Sequence, residues 1–177
     1  VWVFSTICTA LPLDTASALG GFIARKIGPK TGIHRVARAQ MHAVFPEFTD
    51  DQIHTHLIGM WDNLGRVMAE YPHLERIART RIVLVDPHGI LKSPDLLSKP
   101  AIFIAGHFAN WEICGPALYI QTGIKLNLIY RAANNPMIDR LMTHYRSLKG
   151  ILPTLAKSRG GMRAIIDRLG AGQKIGL

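Results

Sequence analysis

Residues 101–112 of the 177-residue chain read AIFIAGHFANWE. The first five residues of this stretch are apolar and lie between a proline and a glycine, which predicts a strand buried on both faces. The rest carries a histidine, His107, and a carboxylate, Glu112, ahead of an apolar segment that predicts a helix over about 111–121. We therefore expect an internal strand of a parallel sheet with His107 at its carboxyl end.

The same alternation of apolar runs and periodic segments continues on both sides of this stretch. Apolar or β-branched runs predict strands, and the periodic segments between them predict helices. A chain in which the two alternate folds as a mainly parallel sheet covered by helices. The predicted strands lie at residues 81–85, 125–130 and 151–152, with a last one beginning near 173, and the predicted helices lie at 93–98, 136–148 and 159–169.

Residues 1–79 instead carry helical patterns. Residues 49–52 form a capping box, and apolar residues recur behind it every three or four positions, which predicts a long amphipathic helix. We expect one domain over residues 1–177, with a helical, membrane-proximal part at 1–79 and an α/β part at 80–177 that carries the candidate site. The chain is expected to be a fragment truncated at both ends.

The first 13 residues contain no charged side chain and are too few to cross a bilayer. They are expected to form either the end of a membrane helix, an interfacial segment or a buried first helix. We expect the N-terminal helices to bind anionic membranes through these residues and through Arg25, Lys26, Lys30, Arg35 and Arg38.

Positive charge is concentrated near the end of the chain. The whole sequence has 21 basic and 12 acidic residues, a net charge of +9, and residues 125–177 hold ten of the basic residues but only two of the acidic ones. Such an excess indicates an anionic partner, which could be nucleic acid, phospholipid or a phosphorylated substrate, or else a basic surface with no partner. Nucleic acid is disfavoured because only Tyr130 and Tyr145 could stack on bases in that segment.

The two cysteines, Cys8 and Cys114, are too few for a disulfide framework, and neither belongs to a Cys-x-x-Cys pair that could bind zinc. The sequence around His107 supplies no cluster of metal ligands, so no metal and no cofactor are expected. Cys114 falls in an apolar helical segment, which favours a buried thiol over a nucleophile.

His107 and Glu112 are the candidate catalytic residues. Functional side chains gather beyond the carboxyl ends of parallel strands, and the turn into the following helix could fold the carboxylate back onto the imidazole. The carboxylate would then fix the tautomer of a general base. The alternative is a hydrogen-bonded histidine in a buried loop. His42 and Glu47 have the same spacing but follow no strand, and we interpret that pair as structural.

Several motifs together resemble the bacterial lipid A late acyltransferases, the lauroyl and myristoyl transferases. Residues 106–112 are similar to the His-x4-acid motif of that family, and further motifs follow its pattern in the same order along nearly the whole chain. These are Leu11-Pro12, residues 43–47, residues 63–66 with Glu70, Tyr130-Arg131, residues 134–136, Asp139, Arg146, residues 160–163 and residues 171–173. The family sequence continues beyond the position of Leu177 into a motif that contains an aspartate.

The resemblance implies an αβα sandwich like that of the glycerolipid acyltransferases. It implies transfer of a fatty acyl chain from an acyl carrier protein thioester to a hydroxyl of a phosphorylated glucosamine lipid, at the cytoplasmic face of the bacterial inner membrane. His107 would take the hydroxyl proton and Glu112 would hold His107, with no covalent intermediate. Arg146 would bind the oxyanion or the substrate phosphate, and Asn110 and Arg131 would bind substrate, unless Arg131 pairs with Asp139.

Three alternatives stay open. Related glycolipid acyltransferases, such as the phosphatidylinositol mannoside acyltransferases, carry a similar motif and would use acyl-CoA as the donor. A non-enzymatic protein that binds anionic lipid or nucleic acid would account for the basic segment. A metal-dependent hydrolase would need further ligands near His107, which the neighbouring sequence does not supply.

Overall fold

The structure is a computed structural model that describes residues 2–177, so Val1 of the uncharged N-terminal segment lies outside it. It divides into two compact units, residues 2–72 and residues 73–177. The first unit is built from helices and the second combines helices with a sheet, which confirms the predicted α/β class with a helical N-terminal part. The single-domain assignment stays a prediction. None of the helices formed by residues 2–177 is both long and apolar enough to cross a membrane.

The first unit contains the helices α1 (Trp2–Ala10), α2 (Leu13–Ile27), α3 (Gly32–Val44) and α4 (Asp50–Glu70). The start of α4 is the predicted capping box. The Thr49 hydroxyl accepts the Gln52 N–H, while the Gln52 side chain accepts the Thr49 N–H. The end of α2 passes into a 3₁₀ turn, Gly28–Lys30, in which the proline lacks the N–H needed to continue the α-helix.

Glycines allow α2 and α4 to pack closely. A Cβ atom on Gly65 would collide with the Gly20 carbonyl, and one on Gly20 would collide with Gly65 and with the Ala69 methyl group. The core beside this contact consists of small side chains, among them Cys8 and Ala16, both 0% exposed. The two helices are therefore in direct backbone contact, and only glycine fits at these positions.

We expect Gly65→Ala to destabilise the protein by about 1–3 kcal/mol, because the added methyl group overpacks the contact with α2. Gly59 provides a control in the same helix, since a Cβ atom there meets no atom within 4 Å. Gly59→Ala should instead raise the free energy of unfolding by up to about 1 kcal/mol, the difference in helix propensity between the residues. Urea unfolding measures both effects, and an equal gain in stability from both variants would contradict the close packing.

The second unit contains a parallel sheet of four strands in the order β1-β4-β2-β3. The strands are β1 (Ala101–Phe103), β2 (Leu126–Tyr130), β3 (Thr154–Ala156) and β4 (Lys174–Gly176). The helices are α5 (Leu74–Thr80), α6 (Pro94–Ser98), α7 (Cys114–Thr122), α8 (Pro136–Arg146) and α9 (Arg159–Gly170). The predicted helices and the strands predicted at 125–130 and near 173 are confirmed to within a few residues.

The last strand in the chain, β4, lies inside the sheet. Its Ile175 pairs with Ile102 of β1 on one side and with Asn127 of β2 on the other, and it is 0% exposed. A core cluster of Leu118, Ile124 and Leu126 packs together where α7 leads into β2. Because all four strands are parallel, their carboxyl ends lie at one edge of the sheet and their amino ends at the opposite edge.

The prediction that residues 101–105 form an internal strand is wrong. The strand β1 is only three residues long and lies at the edge of the sheet, with Ile102 53% exposed. Beyond β1, a further hydrogen bond joins the Ala105 N–H to the Leu177 carbonyl at 2.9 Å. The prediction failed because a continuous apolar run indicates hydrophobicity, whereas the number of neighbouring strands depends on distant segments.

The prediction of a strand at residues 81–85 is also wrong, because the Gln121 side chain bonds the backbone there. The Gln121 amide of α7 donates to the Ile82 carbonyl at 2.8 Å and accepts the Leu84 N–H at 3.3 Å. Because a side chain already bonds these backbone groups, the segment stays irregular and joins no sheet.

The strand predicted at residues 151–152 begins later than expected. These residues belong to a turn after α8 in which Leu148 and Lys149 adopt left-handed backbone angles, with φ of 50° and 59°. The chain becomes extended only at β3, so the prediction of a strand at 151–152 is wrong.

Candidate functional site

His107 lies at the carboxyl edge of the sheet, in the irregular loop that follows β1. The sequence predicted this position beyond a strand end. Both His107 and the adjacent Phe108 are exposed, Phe108 at 83%. The imidazole is therefore open to solvent and not enclosed in a buried loop.

A tight turn after His107 directs Glu112 into the interior. Ala109 has a φ of 44°, in the left-handed region that a residue with a Cβ atom rarely adopts. Asn110 then caps the 3₁₀ turn Trp111–Ile113, and its side-chain oxygen accepts the Glu112 N–H at 3.2 Å. Glu112 is only 8% exposed as a result.

Glu112 forms a buried ion pair with Arg146, the last residue of α8. The guanidinium donates through Nε to Oε2 at 2.5 Å and through Nη2 to Oε1 at 2.6 Å, and the side chains are 12% (Arg146) and 7% (Glu112) exposed. Two parallel charge-assisted hydrogen bonds fix the relative orientation of the two groups. Arg146 Cζ also lies 5.3 Å from the ring centroid of Tyr130, the last residue of β2, in a cation–π contact.

Trp111 connects this ion pair to His107. Its indole N–H donates to Glu112 Oε1 at 3.0 Å. Its ring centroid lies 5.1 Å from that of the His107 imidazole, with 41° between the two planes. The sequence analysis did not predict that Trp111 and Tyr130 belong to the site. The position of Trp111 between the histidine and the carboxylate was a signal that could have indicated it.

No hydrogen bond joins Glu112 to His107 in the part of the chain that the structure describes. The carboxylate oxygens of Glu112 instead accept hydrogen bonds from Arg146 and Trp111. The structure thus brings together Glu112 and Arg146, two of the three predicted catalytic residues, and relates the third, His107, to them through the Trp111 ring. The catalytic roles of all three stay predictions.

The two predicted substrate-binding residues have different surroundings. Arg131 follows β2 directly and is exposed. Asp139, its alternative partner, accepts the Ala133 N–H at 2.9 Å. Asn110 uses its side-chain oxygen for the Glu112 N–H, as described above. Substrate binding by Arg131 and Asn110 stays a prediction.

Cys114 is exposed, not buried as expected from its apolar segment. Nearby protein atoms partly desolvate the thiol, and this desolvation, together with the negative charge of Glu112, raises the pKa of Cys114. The thiol is therefore protonated at neutral pH, whereas a nucleophilic cysteine acts as the thiolate. Across residues 2–177, no three His, Cys, Asp or Glu side chains are grouped so that they could hold a metal ion.

The second pair with His-x4-acid spacing, His42 and Glu47, has a structural setting. His42 Nε2 lies 3.1 Å from Asp50 Oδ1, and Arg38 donates to the same oxygen at 2.9 Å. These contacts join α3 to the start of α4, while Glu47 is exposed. The spacing alone therefore does not identify a site.

A family model described as bacterial lipid A biosynthesis acyltransferase matches residues 1–177, the whole chain. No curated protein matches the chain.

Proposed function

The chain belongs to the bacterial lipid A biosynthesis acyltransferase family, and we propose that it transfers a fatty acyl chain from an acyl carrier protein thioester to a hydroxyl of a phosphorylated glucosamine lipid. Family membership makes it an acyltransferase of lipid A and lipopolysaccharide biosynthesis. The exposed imidazole of His107 at the carboxyl edge of the sheet is the observation that carries the proposed mechanism.

His107 is a general base without a protein nucleophile beside it. The loop at residues 104–110 contains no serine or cysteine, and the Cys114 thiol is protonated. We propose that His107 accepts the proton of the acceptor hydroxyl while the hydroxyl oxygen attacks the thioester carbonyl. The tetrahedral intermediate then loses the C–S bond, and His107 returns the proton to the leaving thiolate. The products are an ester on the lipid and a free thiol on the donor.

The Glu112–Arg146 pair is proposed to position the base and not to touch substrate. The two groups bond each other in a buried setting, so neither presents a free charge to an oxyanion or a phosphate. Glu112 would act on His107 through Trp111, whose N–H it accepts and whose ring lies against the imidazole. Arg131, exposed at the carboxyl end of β2, is the better candidate for the acceptor phosphate, because guanidinium groups bind phosphate through paired hydrogen bonds.

Two substitutions of Trp111 separate its ring from its N–H. Trp111→Phe keeps an aromatic ring against His107 and removes the donor to Glu112, whereas Trp111→Ala removes both. We expect Trp111→Ala to lower kcat by roughly 100-fold, the scale on which a misplaced catalytic group slows a reaction, and Trp111→Phe to lower it much less. Steady-state kinetics with a saturating donor measures kcat and KM separately. Equal losses of kcat in the two variants would show that the ring does not position the imidazole.

The full-length enzyme provides the test of the proposed donor and acceptor. Incubation with a radiolabelled acyl carrier protein thioester and a phosphorylated glucosamine lipid should give labelled lipid, at a higher rate than with the matching acyl-CoA. Faster turnover with acyl-CoA and a phosphatidylinositol mannoside acceptor would favour the related glycolipid reaction instead. Labelling of neither acceptor from either donor would overturn the proposed reaction.

We also propose that the first unit binds the cytoplasmic face of the bacterial inner membrane. The helix α3 buries none of its residues and exposes apolar side chains, including Ile33 at 67% and Val36 at 58%. Exposed basic residues of the same unit, such as Lys30 and Arg35, would add about 1 kcal/mol each near anionic lipid.

Co-sedimentation of the full-length protein with anionic vesicles tests this proposal. Binding should weaken with salt but persist, and Ile33→Ser/Val36→Ser should weaken it further at every salt concentration. Equal binding to neutral and anionic vesicles would contradict the role of the basic residues. Retention in the supernatant at low salt would contradict membrane binding altogether.

A further inference from the structure

An open cavity lies at the amino ends of the strands, whereas His107 lies at their carboxyl ends. The cavity is formed in the second unit at the amino ends of β2 and β4 and has a volume of about 450 Å³. Its lining includes the cationic residues Lys125, Arg168 and Lys174 and no acidic residue. Because the strands are parallel, this edge is the one away from the proposed active site.

The positive charge of this cavity is not compensated by carboxylates. Among residues 2–177, no Asp or Glu forms an ion pair with Lys125, Arg168 or Lys174. The contacts of the last two are with neutral acceptors. Lys174 Nζ donates to the Leu97 carbonyl at 3.2 Å, and Arg168 Nη1 donates to Gln173 Oε1 at 3.4 Å. Uncompensated cations that line one concave surface raise the local concentration of anions.

A buried amide bonds two residues of the wall of this basic cavity. Asn127 lines it, is 2% exposed and donates through Nδ2 to Gln173 Oε1 at 3.1 Å and to the Lys174 carbonyl at 3.0 Å. Its Oδ1 atom is buried and accepts no hydrogen bond from the described residues. Because Gln173 Oε1 also accepts a hydrogen bond from Arg168, these bonds hold Gln173 and the start of β4 in place beside the cavity.

We propose that this cavity binds a phosphate monoester of a small molecule, such as a phosphorylated sugar or polyol. Lys125, Arg168 and Lys174 bind the phosphate, and the neutral lining residues surround the organic group. The cavity volume falls within the range of about 300–1,000 Å³ that small-molecule sites occupy. This inference concerns the opposite edge of the sheet from His107 and does not rest on the proposed acyl transfer.

Calorimetric titration of the full-length protein with glucose 6-phosphate tests the site. The triple variant Lys125→Gln/Arg168→Gln/Lys174→Gln should weaken binding by about tenfold or more, because it removes charge-assisted hydrogen bonds to the phosphate. The matched control is Lys149→Gln/Lys157→Gln/Arg163→Gln, which removes the same charge from outside the cavity in the same unit. The control should change the affinity by less than about twofold, because salt screens distant charges. Equal weakening by the two triple variants would overturn the site in favour of general surface charge.

Two further probes define the ligand chemistry. Sulfate carries negative charge without an organic group, so it leaves most of the cavity unfilled and should bind about tenfold more weakly than glucose 6-phosphate. Equal affinity would overturn the assignment to a phosphate monoester in favour of a general anion site. Vesicles that contain phosphatidylinositol 4-phosphate present the same chemistry as a lipid headgroup. If the protein binds these vesicles and the triple cavity variant weakens that binding, the natural ligand is a lipid headgroup. If the protein binds glucose 6-phosphate but not the vesicles, the natural ligand is a free phosphate monoester. Binding of neither probe overturns the proposal, and acyl transfer measured on the same preparation shows that the protein is active.

Discussion

Arg146→Met is expected to destabilise the protein by about 3–5 kcal/mol, because it leaves the Glu112 carboxylate buried without its cationic partner. The two side chains are 12% and 7% exposed, so water cannot replace the lost hydrogen bonds. Methionine keeps most of the apolar volume of arginine, and the loss therefore measures the uncompensated charge and not a cavity. Urea unfolding followed by circular dichroism gives the change in the free energy of unfolding.

An apolar double variant and an exposed ion pair serve as controls for this prediction. Glu112→Leu/Arg146→Met should recover part of the loss, since replacing both partners of a buried pair is often nearly neutral. Arg79 pairs with Glu75 at 3.0 Å on the surface, where both side chains are at least half exposed. Arg79→Met should cost less than about 1 kcal/mol. Equal costs for Arg146→Met and Arg79→Met would contradict the account of a buried pair.

His107→Ala is expected to lower the rate of acyl transfer by about 10²–10⁴-fold, the contribution of a positioned general base. The fold should stay intact, because the side chain is exposed and belongs to an irregular loop. Initial rates with saturating substrates, together with the thermal unfolding curve, separate the two effects. His42→Ala is the control for spacing and should leave the rate nearly unchanged. Near wild-type turnover by His107→Ala would refute the catalytic assignment.

A double-mutant cycle tests whether Glu112 acts through His107. Glu112→Gln should lower the rate by itself, because it weakens the contacts that hold the Trp111 ring against the imidazole. His107→Ala/Glu112→Gln should be little slower than His107→Ala, since a positioning group has no effect once the base is absent. Rate losses that multiply in the double variant would show that Glu112 acts independently of His107.

Local signals in the sequence predict most of the fold. The capping box at Thr49 fixes the start of α4, and the apolar periodicity behind it predicts the length of that helix. The alternation of strands and helices after residue 80 predicts the parallel sheet. The wrong predictions at residues 81–85 and 101–105 involve partners far away in the chain, whereas the one at 151–152 missed a local turn. Residues 81–85 form no strand because Gln121, about 40 positions later, bonds their backbone.

The candidate site shows the same division between local and distant information. The position of His107 after a strand and a glycine favours it over His42, and its catalytic role stays a prediction. The partner of Glu112 could not be read from spacing, because Arg146 lies 34 residues further along the chain and reaches the carboxylate only through the packing of α8. The turn at Ala109 was also not predictable, since its left-handed backbone directs Glu112 inward and no helix or strand pattern indicates such a turn.

The fate of a radiolabelled acyl chain, followed with and without the lipid acceptor, distinguishes direct acyl transfer from transfer through a covalent acyl-enzyme. Direct attack by a substrate hydroxyl, with His107 as the base, predicts that label moves from the thioester to the lipid only when the acceptor is present. It also predicts that the protein stays unlabelled when the acceptor is left out. Label that remains on the denatured protein in the absence of acceptor would contradict direct transfer, because it would reveal a covalent acyl-enzyme.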